Sequence, residues 1–257
     1  MLFDTVGQKG NPVVIMLNGS FTSGKTMAVY ADRFKDEFYV ICPTYDGHYD
    51  NGGTFTTRQA QCEKIVSWLK ENGIKEVALI QGLSMGAEVA LDLAAMIAND
   101  PELDFKHAYL DGGPFFAFAK PMRAIMRKKF KTMIHQLQEG GTEALMNNRM
   151  VKWMAGDSVE SYGSMVDDMP AVYFSDETIE NESDACYTFD FPPFDEAHEK
   201  RLVFSWSDNE PAHQSRKNIE KHYPKAEYRS AGKLGHGGFM LIRPDEYETV
   251  IRNLANQ

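Results

Sequence analysis

Short, almost wholly apolar runs recur along the chain, and between them apolar positions return every three or four residues. The first run, Val13-Val14-Ile15-Met16-Leu17, is too short for a helix of its own and predicts a buried strand. Runs over 38–46 ("FYVICPTYD", broken by Pro43), 76–81 ("EVALIQ"), 107–113 ("HAYLDGG"), 201–206 ("RLVFSW") and 226–230 ("AEYRS") predict further strands. Helical spacing fills the gaps. Thr56 and Gln59 fit a capping box ahead of a helix whose buried stripe is Cys62, Ile65, Val66 and Leu69. Residues 85–98, "MGAEVALDLAAMIA", are apolar on nearly every side and read as a helix packed deep against a sheet. A last helix opens at Pro244 with Asp245 and Glu246 in its first turn, and turns Tyr247, Val250, Ile251 and Leu254 inward. The alternation predicts an α/β fold, a mostly parallel central sheet flanked by helices.

Between residues 113 and 197 the alternation stops. This stretch holds eight of the 14 methionines and reads as helical. Pro121 starts an amphipathic helix with Met122, Met126, Met133 and Leu137 inward and Arg123, Lys128 and Lys131 outward. The expected organisation is therefore a core domain, 1–112 and 198–257, with a helical cap (lid) insertion, 113–197. The cap is expected over the carboxyl edge of the sheet, where open α/β sheets bind ligands. For any single methionine, an ordinary place in a helical core serves as well.

Charge and cysteine usage narrow the partners. A net charge of −10 argues against nucleic acid and against an anionic membrane surface. No apolar run approaches the ~20 residues that span a bilayer. The start, "MLFDTVGQKGNP", lacks the basic-then-apolar pattern of a signal peptide, so a cytoplasmic location is expected. Cys42, Cys62 and Cys186 are odd in number and scattered, which fits free thiols. The seven histidines form no H-E-x-x-H cluster, and neither a metal nor a cofactor is expected.

Two motifs compete for the chemistry. Gly19 to Thr26, "GSFTSGKT", matches the phosphate-loop pattern G-x-x-x-x-G-K-[ST] and follows a strand, with Asp111 available as a magnesium-binding acid. Gly82 to Gly86, "GLSMG", matches G-x-S-x-G where a strand ends and a buried helix begins. A serine on so sharp a turn needs glycines two residues to either side, and the turn lifts its hydroxyl clear of the sheet. Such a hydroxyl requires a base, and the base an orienting acid. His236, in "GKLGHGGFMLIRP", stands on a glycine-flanked loop, and Asp208, in "LVFSWSDNEP", follows a strand end. Glu210 and Asp111 are fallback acids at neighbouring strand ends.

With the order Ser84, Asp208, His236, the chain resembles the α/β-hydrolase family, in particular its cap-bearing serine esterase-like members. The resemblance rests on "GLSMG", on the acid turn "SWSD", on the histidine loop "GHGGF", and on "YDGH" at 45–48, which is similar to the family's D-x-x-G-H-G turn. It implies a Ser84–His236–Asp208 triad and an oxyanion hole formed by the backbone amides of Ser20 and Met85, with Phe21 the second choice for the former. In the family the strand before this loop ends in His-Gly; here the pair is Asn18-Gly19. The implied reaction is hydrolysis of a small carboxylic ester or related acyl substrate through an acyl-enzyme. Phe115, Phe116, Phe118, Trp153 and Met154 are expected around an apolar pocket or, equally, in the core of the cap. The phosphate-loop reading leaves the elbow, acid turn and histidine loop without a purpose, whereas the hydrolase reading also accounts for Gly19. A nucleotide-binding protein using Gly19–Thr26, or a non-catalytic small-molecule binder on the same scaffold, are the alternatives. Neither the physiological substrate nor the oligomeric state is legible.

Overall fold

The computed structural model describes residues 1–156 and 172–257. The strands are β1 (Leu2–Val6), β2 (Val13–Leu17), β3 (Tyr39–Thr44), β4 (Glu76–Leu83), β5 (Asp104–Asp111), β6 (Leu202–Trp206) and β7 (Glu227–Ser230). They form one sheet in the order β1-β3-β2-β4-β5-β6-β7. Only β1, antiparallel to β3, breaks the parallel run. The expected mostly parallel sheet flanked by helices is therefore the fold. All residues of β2 and β3 are buried, as both faces are covered. Each fully buried aliphatic side chain contributes about 1.5–3 kcal/mol relative to exposure.

The helices are α1 (Gly24–Ala31), α2 (Arg58–Glu71), α3 (Met85–Ala98), α4 (Lys120–Asn147), α5 (Arg149–Ala155), α6 (Asp176–Tyr187), α7 (Glu196–Glu199), α8 (Arg216–His222), α9 (Gly238–Ile242) and α10 (Pro244–Ala255). The cap of α2 falls one residue later than the capping-box reading. Thr57, not Thr56, accepts the Ala60 amide at 3.1 Å, so Gln59 lies too early to reciprocate. Helix α3 is buried along nearly its whole length, as its all-round apolar sequence requires.

Helices α4 to α6 lie between β5 and β6 in sequence, and α4 packs on α6. The part of the expected cap at 157–171 lies outside the described residues. The buried stripe of α4 begins later than expected. Met122 is exposed, as is Ile125, whereas Phe130, Met133, Ile134 and Leu137 are buried. Salt bridges from Arg127 to Asp184 and from Lys131 to Glu180 tie this helix to α6, so contact starts in its third turn.

Candidate active site

Ser84 sits between β4 and α3 with φ 59° and ψ −124°, a left-handed conformation that costs a non-glycine residue energy. The turn leaves no room for a side chain two residues to either side of the serine. A Cβ at Gly82 would lie 2.1 Å from the Gly86 carbonyl oxygen, and one at Gly86 would lie 2.4 Å from that of Leu17. The Ser84 amide donates to the Asp111 carbonyl at 2.8 Å, which anchors the elbow to the end of β5. Met85 opens α3, so its amide points out of a helix N-terminus beside the hydroxyl.

Ser84 and His236 line one cavity of about 130 Å³. Gly19, Ser20 and Gly112 form part of its wall, and Phe116, Phe130, Met133, Val151, Met154 and Tyr187 make the rest largely apolar. Of the aromatic and methionine residues expected around a pocket, Phe116 and Met154 are there. Phe115 is buried below, and Phe118 and Trp153 line a wider outer groove.

The acid partner of His236 is not the expected one. Its Nδ1 lies 2.5 Å from Glu210 Oε2, and both side chains are buried. Asp208 is exposed; its Oδ1 accepts from Ser230 Oγ at 2.7 Å and its amide donates to Gly232 O. The cause is the tight turn after β6. Glu210 Oε1 accepts the Ser207 amide at 2.7 Å, which folds the longer carboxylate back beneath the histidine loop. Asp208 instead holds the turn against the end of β7. Asn209 Oδ1 accepts the Gly235 amide at 2.9 Å and fixes the loop that carries His236. Gly112 makes the close approach possible, since a Cβ there would lie 3.0 Å from Glu210 Oε2. The signal for Glu210 was present as a fallback, but one intervening turn residue reverses which carboxylate faces inward.

Burial pulls the His236 pKa down, yet the Glu210 hydrogen bond and charge, with Asp111, carry it above its ordinary 6.5. Asp111 is buried with Oδ2 unpartnered. Burial and the Glu210 charge push its pKa up to about 8, so near neutral pH it is mostly protonated.

The loop after β2 is wound tightly. Asn18 Nδ2 donates to the carbonyls of Gly19 (3.0 Å) and Thr22 (2.7 Å), and Thr22 Oγ1 donates to Gly19 O at 3.0 Å. The asparagine thus supplies the loop's internal hydrogen bonds. The site of a Cβ on Gly19 is 3.3 Å from Ser84 Cβ, so the loop lies against the elbow. The Phe21 amide donates to Glu182 Oε2 at 3.2 Å. The Gly24 amide donates to Thr44 Oγ1 at 2.8 Å, and Lys25 is exposed. No group of three or more metal-ligating side chains occurs among the described residues, nor does a helix long and apolar enough to cross a membrane.

No family model and no curated protein sequence matches the chain. Solved structures do. An α/β-hydrolase family protein from Desulfitobacterium hafniense superposes with a TM-score of 0.76 at 17% identity, over 98% of this chain and 99% of that one. The fold is that of the α/β-hydrolase superfamily. A thermophilic esterase from Thermogutta terrifontis matches at TM-score 0.70 and 13% identity, over 98% and 91% of the two chains. The enol-lactonase from Burkholderia xenovorans matches at 0.71 and 14%, over 100% and 96%. Within this α/β-hydrolase fold, Ser84 occupies the turn between β4 and α3, while Glu210 and His236 follow β6 and β7.

Proposed function

We propose that the protein is a serine hydrolase that cleaves a small carboxylic ester or related acyl substrate. The observation that carries this reading is the convergence of the strained Ser84 and the Glu210-bound His236 on one largely apolar cavity. Ser84 Oγ attacks the acyl carbonyl, and the hydroxyl proton passes to His236. Glu210 holds the imidazole with Nδ1 toward itself and stabilises the imidazolium that forms. Collapse of the tetrahedral intermediate expels the alcohol, which takes the proton from His236 and leaves an acyl-Ser84. Water then repeats the sequence and releases the acid. The amides of Ser20 and Met85 stabilise the oxyanion; losing one such donor typically costs ~3–4 kcal/mol of barrier. Helices α4 to α6 serve as the cap, placing Phe130, Met133, Val151, Met154 and Tyr187 over the serine to exclude water and receive the apolar part of the substrate.

The test is hydrolysis of p-nitrophenyl esters of increasing chain length, with fluorophosphonate labelling. The wild type should turn over short esters and label at one residue. Ser84→Ala should lose more than about 10⁴-fold in kcat and all labelling. Turnover or labelling that survives Ser84→Ala overturns the reading. Absence of both in the wild type favours a small-molecule binder on this scaffold.

A further inference from the structure

A second histidine lies on the far side of the loop after β2, and the active site has no direct use for it. His48, in the turn after β3, is fully buried, and so is Glu182 of α6. His48 Nδ1 is 2.6 Å from the Thr22 carbonyl oxygen, and its Nε2 hydrogen-bonds Glu182 Oε1. Glu182 Oε2 takes the Phe21 amide. The pair therefore grips the loop at two successive residues, by the N–H of Phe21 and the C=O of Thr22. The gripped backbone begins one residue after Ser20, and Phe21 is held at φ 56°.

The hydrogen-bond inventory fixes one ring proton and narrows the place of the other. A carbonyl oxygen can only accept, so Nδ1 must carry a proton. The Nε2–Oε1 hydrogen bond holds one more proton, on Nε2 in an imidazolium–carboxylate pair or on Oε1 in a neutral pair, and the Phe21 amide donated to Oε2 favours the ion pair. A ring that donates from both nitrogens is an imidazolium. We propose that His48 is a buried imidazolium and that the His48–Glu182 ion pair is a positioning brace for the oxyanion loop, fixing the Ser20 amide over Ser84. The brace rests on the hydrolase reading for its purpose.

The surroundings agree. Rings of Tyr45 on its own turn, of Phe55 ahead of α2 and of Phe174 ahead of α6 pack on His48 and keep water out. The charged or titratable groups facing it are Glu182 on α6, and Asp46 and Tyr45 on its own turn. Asp46 is bound by the amino group of Met1 and by Lys64, and the Tyr45 hydroxyl donates to Asn18 O at 3.2 Å. Burial alone would push the His48 pKa down; Glu182, the Thr22 carbonyl and Asp46 carry it above the ordinary 6.5. When the proton is lost at higher pH, the Nε2 lone pair meets a carboxylate and the grip on the loop fails. Activity then falls on the alkaline side.

Three variants and one spectrum test the brace. Glu182→Ala leaves the Phe21 amide and His48 without their partner; kcat for a short p-nitrophenyl ester should fall about 100-fold, the cost of misplacing a catalytic group by about 1 Å, with KM little changed. Glu182→Gln supplies an amide N–H to a neutral His48 and an oxygen to Phe21. It should recover most of kcat and lose the alkaline limb. Nitrogen-15 spectra of wild-type protein at pH 7, assigned by comparison with His48→Gln, should show both His48 ring nitrogens protonated. A neutral ring overturns the proposal without any need for the Glu182 variants to fold. Unchanged kcat in Glu182→Ala, or an alkaline limb that persists in Glu182→Gln, overturns it as well. If the wild type hydrolyses no ester, the hydrolase reading falls and with it the brace's purpose, while the ring spectrum still decides its charge.

Discussion

One buried histidine–glutamate pair lies at the cavity with Ser84 and a second behind the loop after β2, and the comparison sets the proposed reactive pair against the proposed brace built of the same parts. His236 gives Nδ1 to Glu210 and sits on the cavity wall beside Ser84. His48 spends both ring nitrogens inside the protein, on Glu182 and on the Thr22 carbonyl, with no exposed side-chain surface. A carboxylate on one nitrogen raises proton affinity in both pairs. Only the first ring lines the cavity shared with Ser84, so only there would that affinity become acid–base chemistry in the proposed hydrolysis. Burial, composition and pKa direction are alike; what distinguishes them is place, since His236 lines the cavity with Ser84 while His48 lies behind the loop on Glu182 and the Thr22 carbonyl.

The largest effect should come from breaking the reactive pair. Glu210→Gln keeps the shape but offers His236 the wrong tautomer and no charge, and kcat should drop by about 10⁴-fold. Asp208→Asn, at an exposed turn, should change kcat by less than about twofold. Equal losses in the two variants would return Asp208 to the triad. The pH profile sharpens the same contrast. Catalysis needs neutral His236, whose pKa is raised, so kcat/KM should climb with a midpoint above pH 6.5. In Glu210→Gln the midpoint should move down, because burial then acts without the opposing carboxylate. A midpoint that stays in place would detach Glu210 from the histidine.

Much of the framework was legible in the sequence because β2, β3 and β6 are wholly buried and β4 nearly so, and are therefore nearly continuous in hydrophobicity. The elbow was legible for a steric reason, since the turn leaves no room for a side chain at positions 82 and 86 and only glycine fits there. The acid was not. Asp208 and Glu210 lie two residues apart in one turn, and which of them faces inward depends on a hydrogen bond from the Ser207 amide that no spacing rule encodes. The inward face of α4 was misjudged at its start for a related reason. Met122 has helical spacing, but it is exposed, and periodicity reports a face without saying whether a partner covers it. The His48–Glu182 pair was invisible because its members are 134 residues apart and belong to different elements.

A smaller effect should appear at Asp111, the second carboxyl near His236. Its folded pKa of about 8 is far above that of an unfolded aspartate. Between pH 4 and 8 the unfolded chain therefore releases the proton first, and the group's contribution to stability, complete below pH 4, is lost as pH rises toward 8. Asp111→Asn keeps the neutral shape and removes the titration. Its melting temperature relative to wild type should rise from pH 5 to pH 8, by about 2–4 °C for each kcal/mol. A constant difference across that range would mean that Asp111 is ionised in the folded protein.

The smallest effect is expected at Lys25, where the phosphate-loop pattern "GSFTSGKT" makes its strongest demand. A phosphate cradle needs successive backbone amides that converge on the ligand, with the lysine reaching the same oxygens. Here the Phe21 amide is given to Glu182, the Gly24 amide to Thr44 Oγ1 and the Thr26 amide to the Ser23 carbonyl. Lys25 itself is exposed, outside the wall that Gly19 to Thr22 contribute to the Ser84 cavity. Lys25→Ala should therefore leave ester hydrolysis within about twofold of wild type, the range of a surface change that touches nothing catalytic. Calorimetric titration of wild-type protein with magnesium–ATP should give no heat of binding. Micromolar binding that disappears in Lys25→Ala would show that the amides rearrange to receive phosphate, and the loop would then belong to a nucleotide and not to an oxyanion.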